Sequence, residues 1–235
     1  MLKNNLIALG LTLFIALTWL RLNDFFAHKG WITSVISRKI IHIGTGPIFV
    51  LCWLLFNAKP SAPFLAAIVP FGITLQFALV GTGLIKDPAA VDAMSRTGDR
   101  SEILRGPLFY GIAFVTLTIL FWRESPLGMV ALMILCGGDG LADILGKKIR
   151  SPMLPWSPRK SLGGSITMLL GGFVFASLMV WVFIWQGYFR GNILDYLGPI
   201  GLIAILTTMI ESLPFADIDN ITIPVVSVLF GLMVF

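Results

Sequence analysis

Apolar positions along the chain gather into eight runs, at 6–20, 40–56, 63–85, 107–122, 127–145, 166–185, 197–210 and 221–235, separated by short polar stretches. Runs of this kind predict membrane-spanning helices. Several fall short of the roughly 20 residues that a straight span needs, so tilted helices or a pair sharing one re-entrant path fit equally, and the count is seven or eight. Lys3 before the first run imitates a signal peptide, yet Thr18-Trp19-Leu20-Arg21 offers no small-residue cleavage site, so the run is kept as a helix. No internal repeat interrupts the pattern. The expected fold is an all-α, polytopic transmembrane helical bundle, one integral membrane domain over residues 1–235.

Composition strengthens this expectation. Hydrophobic residues make up 57% of the 235 and charged residues 12%, with a mean hydropathy of +0.90, beyond the apolar share of soluble domains. Cys52 and Cys136 both lie in apolar runs, which excludes a disulfide framework and a CxxC metal site. The net charge of +5 does not mark a nucleic-acid binder, because no basic domain and no aromatic-basic interleaving lies outside the apolar runs. It marks topology instead. Lys and Arg concentrate in alternate loops: Arg21, Lys29, Arg38 and Lys39; Lys86, Arg96, Arg100 and Arg105; Lys147, Lys148, Arg150, Arg159 and Lys160. The positive-inside rule puts those loops in the cytoplasm, and of the 12 acids only Glu124 and Asp195 fall on the other side.

The stretch from Cys136 to Ser165 stands out between its apolar neighbours because it carries acids, bases and glycines together. Asp139 and Asp143 are four residues apart, so on an α-helix both carboxylates share a face and one Mg²⁺ can bridge them. An ionised Asp at the centre of a membrane helix costs roughly 2.5–3.5 kcal/mol, which argues for a cation beside such a pair. The bases Lys147 and Lys160 complement the acids. Ser161 is placed to cap the helix that follows, and Gly163, Gly164 and Ser165 give a close-turning helix entrance whose free N–H groups suit phosphate. Together these describe a site for a metal-bound nucleotide, although no GxxxxGK[ST] is present.

Other candidates sit at the ends of further runs. Arg38 and His42 share a helix face with Lys39 beside them, arranged to grip phosphate or the substrate hydroxyl, or else to mark the interface. Arg105 precedes Pro107 at a helix start, as a nucleotide clamp or a membrane-edge anchor. Glu211 and Asp219 have no basic residue near them in sequence, so a metal or the basic loops of the same face must satisfy them; Asn220 either joins them or caps the last helix. Trp156, between Pro155 and Pro158, suits an interfacial anchor, with base stacking as the alternative.

Gly138-Asp139-Gly140-Leu141-Ala142-Asp143-Ile144-Leu145-Gly146, with Lys160-Ser161-Leu162-Gly163-Gly164-Ser165, resembles the core motif of the phytol and farnesol kinases, relatives of dolichol kinase. Arg38-Lys39-Ile40-Ile41-His42 with Gly46, Arg105-Gly106-Pro107-Leu108, and Glu211-Ser212-Leu213-Pro214 with Asp219-Asn220 resemble the family's first, middle and last motifs, in family order. The resemblance implies a membrane enzyme that uses a nucleoside triphosphate, typically CTP, to phosphorylate an isoprenoid alcohol held in the bilayer. Phytol is foremost, with geranylgeraniol and farnesol close behind. On that expectation Asp139 and Asp143 hold Mg²⁺, the basic residues hold phosphate, and His42, Glu211 or Asp219 accepts the alcohol's proton. A CTP-dependent lipid cytidylyltransferase and an ion-coupled transporter are the alternatives.

Overall fold

The computed structural model of the chain describes every residue except Arg96, Lys147 and residues 215–217, and gives Asp24, Ser34 and Ala93 by their backbone alone. Each apolar run becomes a helix. In chain order they are α1 (Asn5–His28), α2 (Ser34–Cys52), α3 (Ala62–Thr82), a short α4 (Pro88–Met94) in the following loop, and α5 (Gly106–Leu120). Then come α6 (Pro126–Met133), α7 (Leu162–Trp185), α8 (Ile193–Glu211) and α9 (Asp219–Val234). Past Met133 the α6 helix runs on through two π-helical stretches, Ile134–Asp139 and Ala142–Gly146, giving one span from Pro126 to Gly146. Among the described residues, seven spans are long and apolar enough to cross a membrane, and Asp219–Val234 is a shorter eighth apolar helix. The chain is an all-α polytopic membrane protein.

Local chemistry sets the helix ends. Asn4 and Thr33 accept hydrogen bonds from Leu6 N–H and Ile36 N–H at the starts of α1 and α2, Gly83 at φ 81° ends α3, and Asn192 with Asp195 forms a capping box on α8. Leu6, Ile7, Phe14 and Leu17 on α1 are exposed, which an aqueous surface tolerates poorly and a lipid-facing helix requires.

The chain forms two compact units, Met1–Ile119 and Leu120–Phe235. In the second unit, α7 packs along the π-helical continuation of α6, α8 packs on α7, and α9 packs on α8 and α6. Small residues make this approach possible. A Cβ on Gly171 would stand 2.5 Å from the Gly137 carbonyl oxygen, and one on Gly146 would stand 2.6 Å from Gly164 Cα, so backbone meets backbone along the seam. The segment between α6 and α7, expected as an irregular Pro-rich link, is a small antiparallel hairpin of β1 (Met153–Leu154) and β2 (Ser157–Ser161). Pro155 and Pro158 disfavour helix at the residues before them, so the link turns through Pro155-Trp156 and returns extended.

Candidate active site

Lys160 is the last but one residue of β2, next to the Ser161 cap of α7, Glu211 is the last residue of α8, and Asp219 opens α9. The fold brings all three to one end of the second unit. The Lys160 ammonium pairs directly with Glu211 Oε1 and lies 3.3 Å from Asp219 Oδ2. Asp139, from the π-helical stretch, completes the group: one carboxylate oxygen from each of Asp139, Glu211 and Asp219 lies within 4.8 Å of the others. Glu211 is almost enclosed, with 7% of its side chain exposed, whereas Lys160 and Asp219 keep 22% and 27%. Burial disfavours the ammonium of Lys160. The charge and hydrogen bond of Glu211, then the charges of Asp219 and Asp139, outweigh that burial and hold its pKa above the usual lysine value.

The three carboxylates suit a hard divalent ion. An octahedral Mg²⁺ with bonds of about 2.0–2.1 Å places opposite oxygens about 4.2 Å apart, so this trio closes on such an ion with small side-chain shifts. Asp143 is not one of the three. It follows Asp139 by four residues along a backbone that is partly π-helical rather than the regular α-helix that the spacing assumes. Lys147 lies outside the described residues. Asn220 is the second residue of α9, and the cap position before that helix falls to Ile218.

The entrance of α7 is built differently from the simple picture of amides open to phosphate. Ser161 does cap the helix, accepting from Gly164 N–H at 3.2 Å. Ser151 accepts from Gly163 N–H at 2.9 Å, and the Pro152 carbonyl accepts from Leu162 N–H at 3.0 Å. These amides are engaged within the chain. Gly163 and Gly164 serve close packing, because a Cβ on Gly163 would meet Ser151 Oγ at 2.8 Å and Gly164 lies against Gly146. The Ser165 hydroxyl, in the first turn of α7, is buried and makes no hydrogen bond, leaving a polar atom there for a ligand. Trp156, at the tip of the hairpin, is 57% exposed and donates its indole N–H to Ser212 Oγ at 3.2 Å, tying the tip to the end of α8.

The Met1–Ile119 unit carries the other candidates. Arg38 donates to the Ser95 carbonyl at 3.4 Å, which fastens α2 to the α4 loop. The His42 ring lies 4.5 Å from the Tyr110 ring, and Tyr110 Oη–H donates to the His42 carbonyl at 2.7 Å. Lys39 is half-buried on α2 and Arg105 is exposed just before α5. Tyr110 and Ser151 were not singled out from the sequence, and Ser212 entered only as part of the last motif. Nothing in residue type or spacing marks the partner that each finds across the fold.

Curated relatives match the chain over nearly its whole length. A protein of Triticum aestivum named probable phytol kinase, chloroplastic, is 37% identical over 96% of this chain and 77% of the relative. Phytol kinase 1, chloroplastic, of Arabidopsis thaliana is 37% identical over 87% of this chain and 68% of the relative. The chain belongs to the phytol and farnesol kinase family. Its farnesol branch is represented by farnesol kinase, chloroplastic, of Arabidopsis thaliana, 35% identical over 97% of this chain and 75% of that protein. No family model matches the chain, and no solved structure does. Four motifs found in family order thus have their counterpart in membership across most of the sequence.

Proposed function

We propose that this protein transfers the γ-phosphoryl group of a nucleoside triphosphate, CTP foremost, to the hydroxyl of an isoprenoid alcohol, with phytol the first choice and geranylgeraniol and farnesol next. The observation that carries the reading is the convergence of Asp139, Glu211, Asp219 and Lys160 at the head of α7, in a chain whose relatives are named phytol and farnesol kinases. Asp139, Glu211 and Asp219 would hold Mg²⁺, which when bound offsets charge on the triphosphate. Asp143 contributes from the next turn. Phosphoryl transfer asks the protein mainly for positioning and charge stabilisation, and Lys160 with the Ser165 hydroxyl supplies both for the phosphate oxygens. Arg38, Lys39, Arg105 and Lys147 are the further candidates, by sequence, for contact with the nucleotide. The proton of the alcohol passes to a base, for which His42, Glu211 and Asp219 are the candidates. The isoprenoid tail stays in the bilayer while its hydroxyl reaches the polar edge, on the cytoplasmic face by the distribution of basic loops.

Incubating purified protein with CTP labelled in either the α- or the γ-phosphate, together with a panel of prenyl alcohols, tests the reading. Label from the γ-position alone should appear in a prenyl monophosphate. Label from the α-position in lipid, with release of pyrophosphate, would make the protein a cytidylyltransferase instead.

A further inference from the structure

Lys160 stands where a metal would have to sit. Its ammonium bridges Glu211 and Asp219, two of the three carboxylates that fit a divalent ion, and Asp139 adds a third negative charge beside it. Two cations cannot share those oxygens at close range. Three carboxylates drawn this near, with Glu211 almost fully buried, also cannot be left bare. Building on the kinase reading above, we infer that Lys160 is the resident counter-cation of the nucleotide-free site, and that it exchanges from the carboxylates to the phosphates when a metal-nucleotide complex binds.

The local structure allows this exchange without moving the backbone. Lys160 is fixed by β2 on one side and the Ser161 cap on the other, so only its flexible four-carbon stem needs to turn. Its side chain is 22% exposed, so it has an open side, unlike Glu211. The head of α7 carries the positive end of the helix dipole and the unengaged Ser165 hydroxyl, both favourable to phosphate. One lysine therefore does two jobs in sequence. It neutralises the acids before substrate arrives, and it neutralises phosphate afterwards. The consequence is an ordered site: free divalent metal competes with a tethered ammonium and is held poorly, whereas metal that arrives with its phosphates gives the ammonium somewhere to go.

Equilibrium binding of Mn²⁺, measured by paramagnetic resonance on purified protein without nucleotide, tests the exchange. Lys160→Gln should bind Mn²⁺ alone roughly tenfold or more tightly than wild type, within the usual range for coupled ligands. Lys160→Arg keeps a cation in place and should show no such gain. If Lys160→Gln is poorly stable, its thermal midpoint should still rise with Mn²⁺ by more than that of wild type. Unchanged or weaker Mn²⁺ affinity in Lys160→Gln, or a midpoint that Mn²⁺ does not raise beyond the wild-type shift, would overturn the inference. Prenyl phosphate formation separates this from the function itself. Wild-type protein that phosphorylates no alcohol refutes the kinase reading whatever the Mn²⁺ result, whereas a Lys160→Gln protein that loses turnover without gaining Mn²⁺ refutes the exchange alone.

Discussion

Two cations are withdrawn from solvent at opposite ends of the Leu120–Phe235 unit, and they are held in contrasting ways. Arg123, just before α6, has 1% of its side chain exposed; its guanidinium lies 4.9 Å over the Tyr188 ring and 5.6 Å from that of Trp122. Its acid neighbour is Glu124, at 3.8 Å and 68% exposed. Lys160, at the other end, is set among three carboxylates and keeps an open side. Aromatic faces hold a cation by their quadrupole and gain nothing by releasing it, so Arg123 is an anchor that orders the turn between α7 and α8 against the start of α6. Carboxylates need a cation but accept any that fits. The lesson is that burial alone does not mark chemistry here; the kind of partner does.

The largest effect should come from the exchangeable end. Lys160→Ala should lower prenyl phosphate formation by roughly 10²-fold or more, the scale of losing one charge-assisted contact worth about 2–4 kcal/mol in the transition state. Lys160→Arg should also fall below wild type, because the broader planar guanidinium replaces a compact ammonium poorly as a point-charge ligand of phosphate. Membrane insertion should be unchanged in both, since Arg counts as Lys does for the topology signal and other basic residues remain in the loop when Lys160 becomes Ala. Full turnover in both variants would remove Lys160 from the site.

A smaller effect separates sequence spacing from folded geometry. Asp143→Asn should cost less turnover than Glu211→Gln, because Glu211 lies within the gathered oxygens and Asp143 does not. The reverse order would restore the simple four-residue pair as the metal unit.

This contrast shows how much of the molecule was legible. Eight hydrophobic runs translate almost directly into α1–α3 and α5–α9, because backbone hydrogen bonds in a bilayer leave few alternatives to helix. Ser161 as a cap followed from residue type alone. The partnership of Glu211 and Asp219 with a basic loop was legible as a need, since no base lies near them in sequence, but not as Lys160 in particular. That choice depends on the hairpin, whose register carries Lys160 to the ends of α8 and α9. The Gly-Gly pair at the start of α7 was legible as a place of close approach, but its neighbours Gly146 and Ser151 were not. The role of Arg123 was not legible, because Tyr188, the nearer of its two aromatic partners, lies 65 positions further along the chain.

At the anchored end, Arg123→Ala should leave turnover per folded molecule unchanged and lower stability by about 2 kcal/mol, the worth of a desolvated cation–π contact. Thermal unfolding in detergent alongside the kinase assay checks this, and lost turnover at unchanged stability would contradict the division between the two ends. The smallest effect belongs to the hairpin tip. Trp156→Phe keeps an aromatic ring but loses the bond to Ser212, costing about 1 kcal/mol, and in a Ser212→Ala background, where that acceptor is already gone, the same change should cost nothing further. Additive losses would show that the two residues do not act through that bond.

The central claim is that Asp139 and Glu211, from different helices, act as one unit in phosphoryl transfer. Its most direct test is γ-phosphate transfer from CTP to phytol by Asp139→Asn, Glu211→Gln and the double variant, each corrected for correctly inserted protein. The account predicts that each single change removes most of the activity and that the double variant is little worse, as expected for groups acting through one site. Near wild-type transfer by either single variant, or losses that multiply in the double, would contradict it.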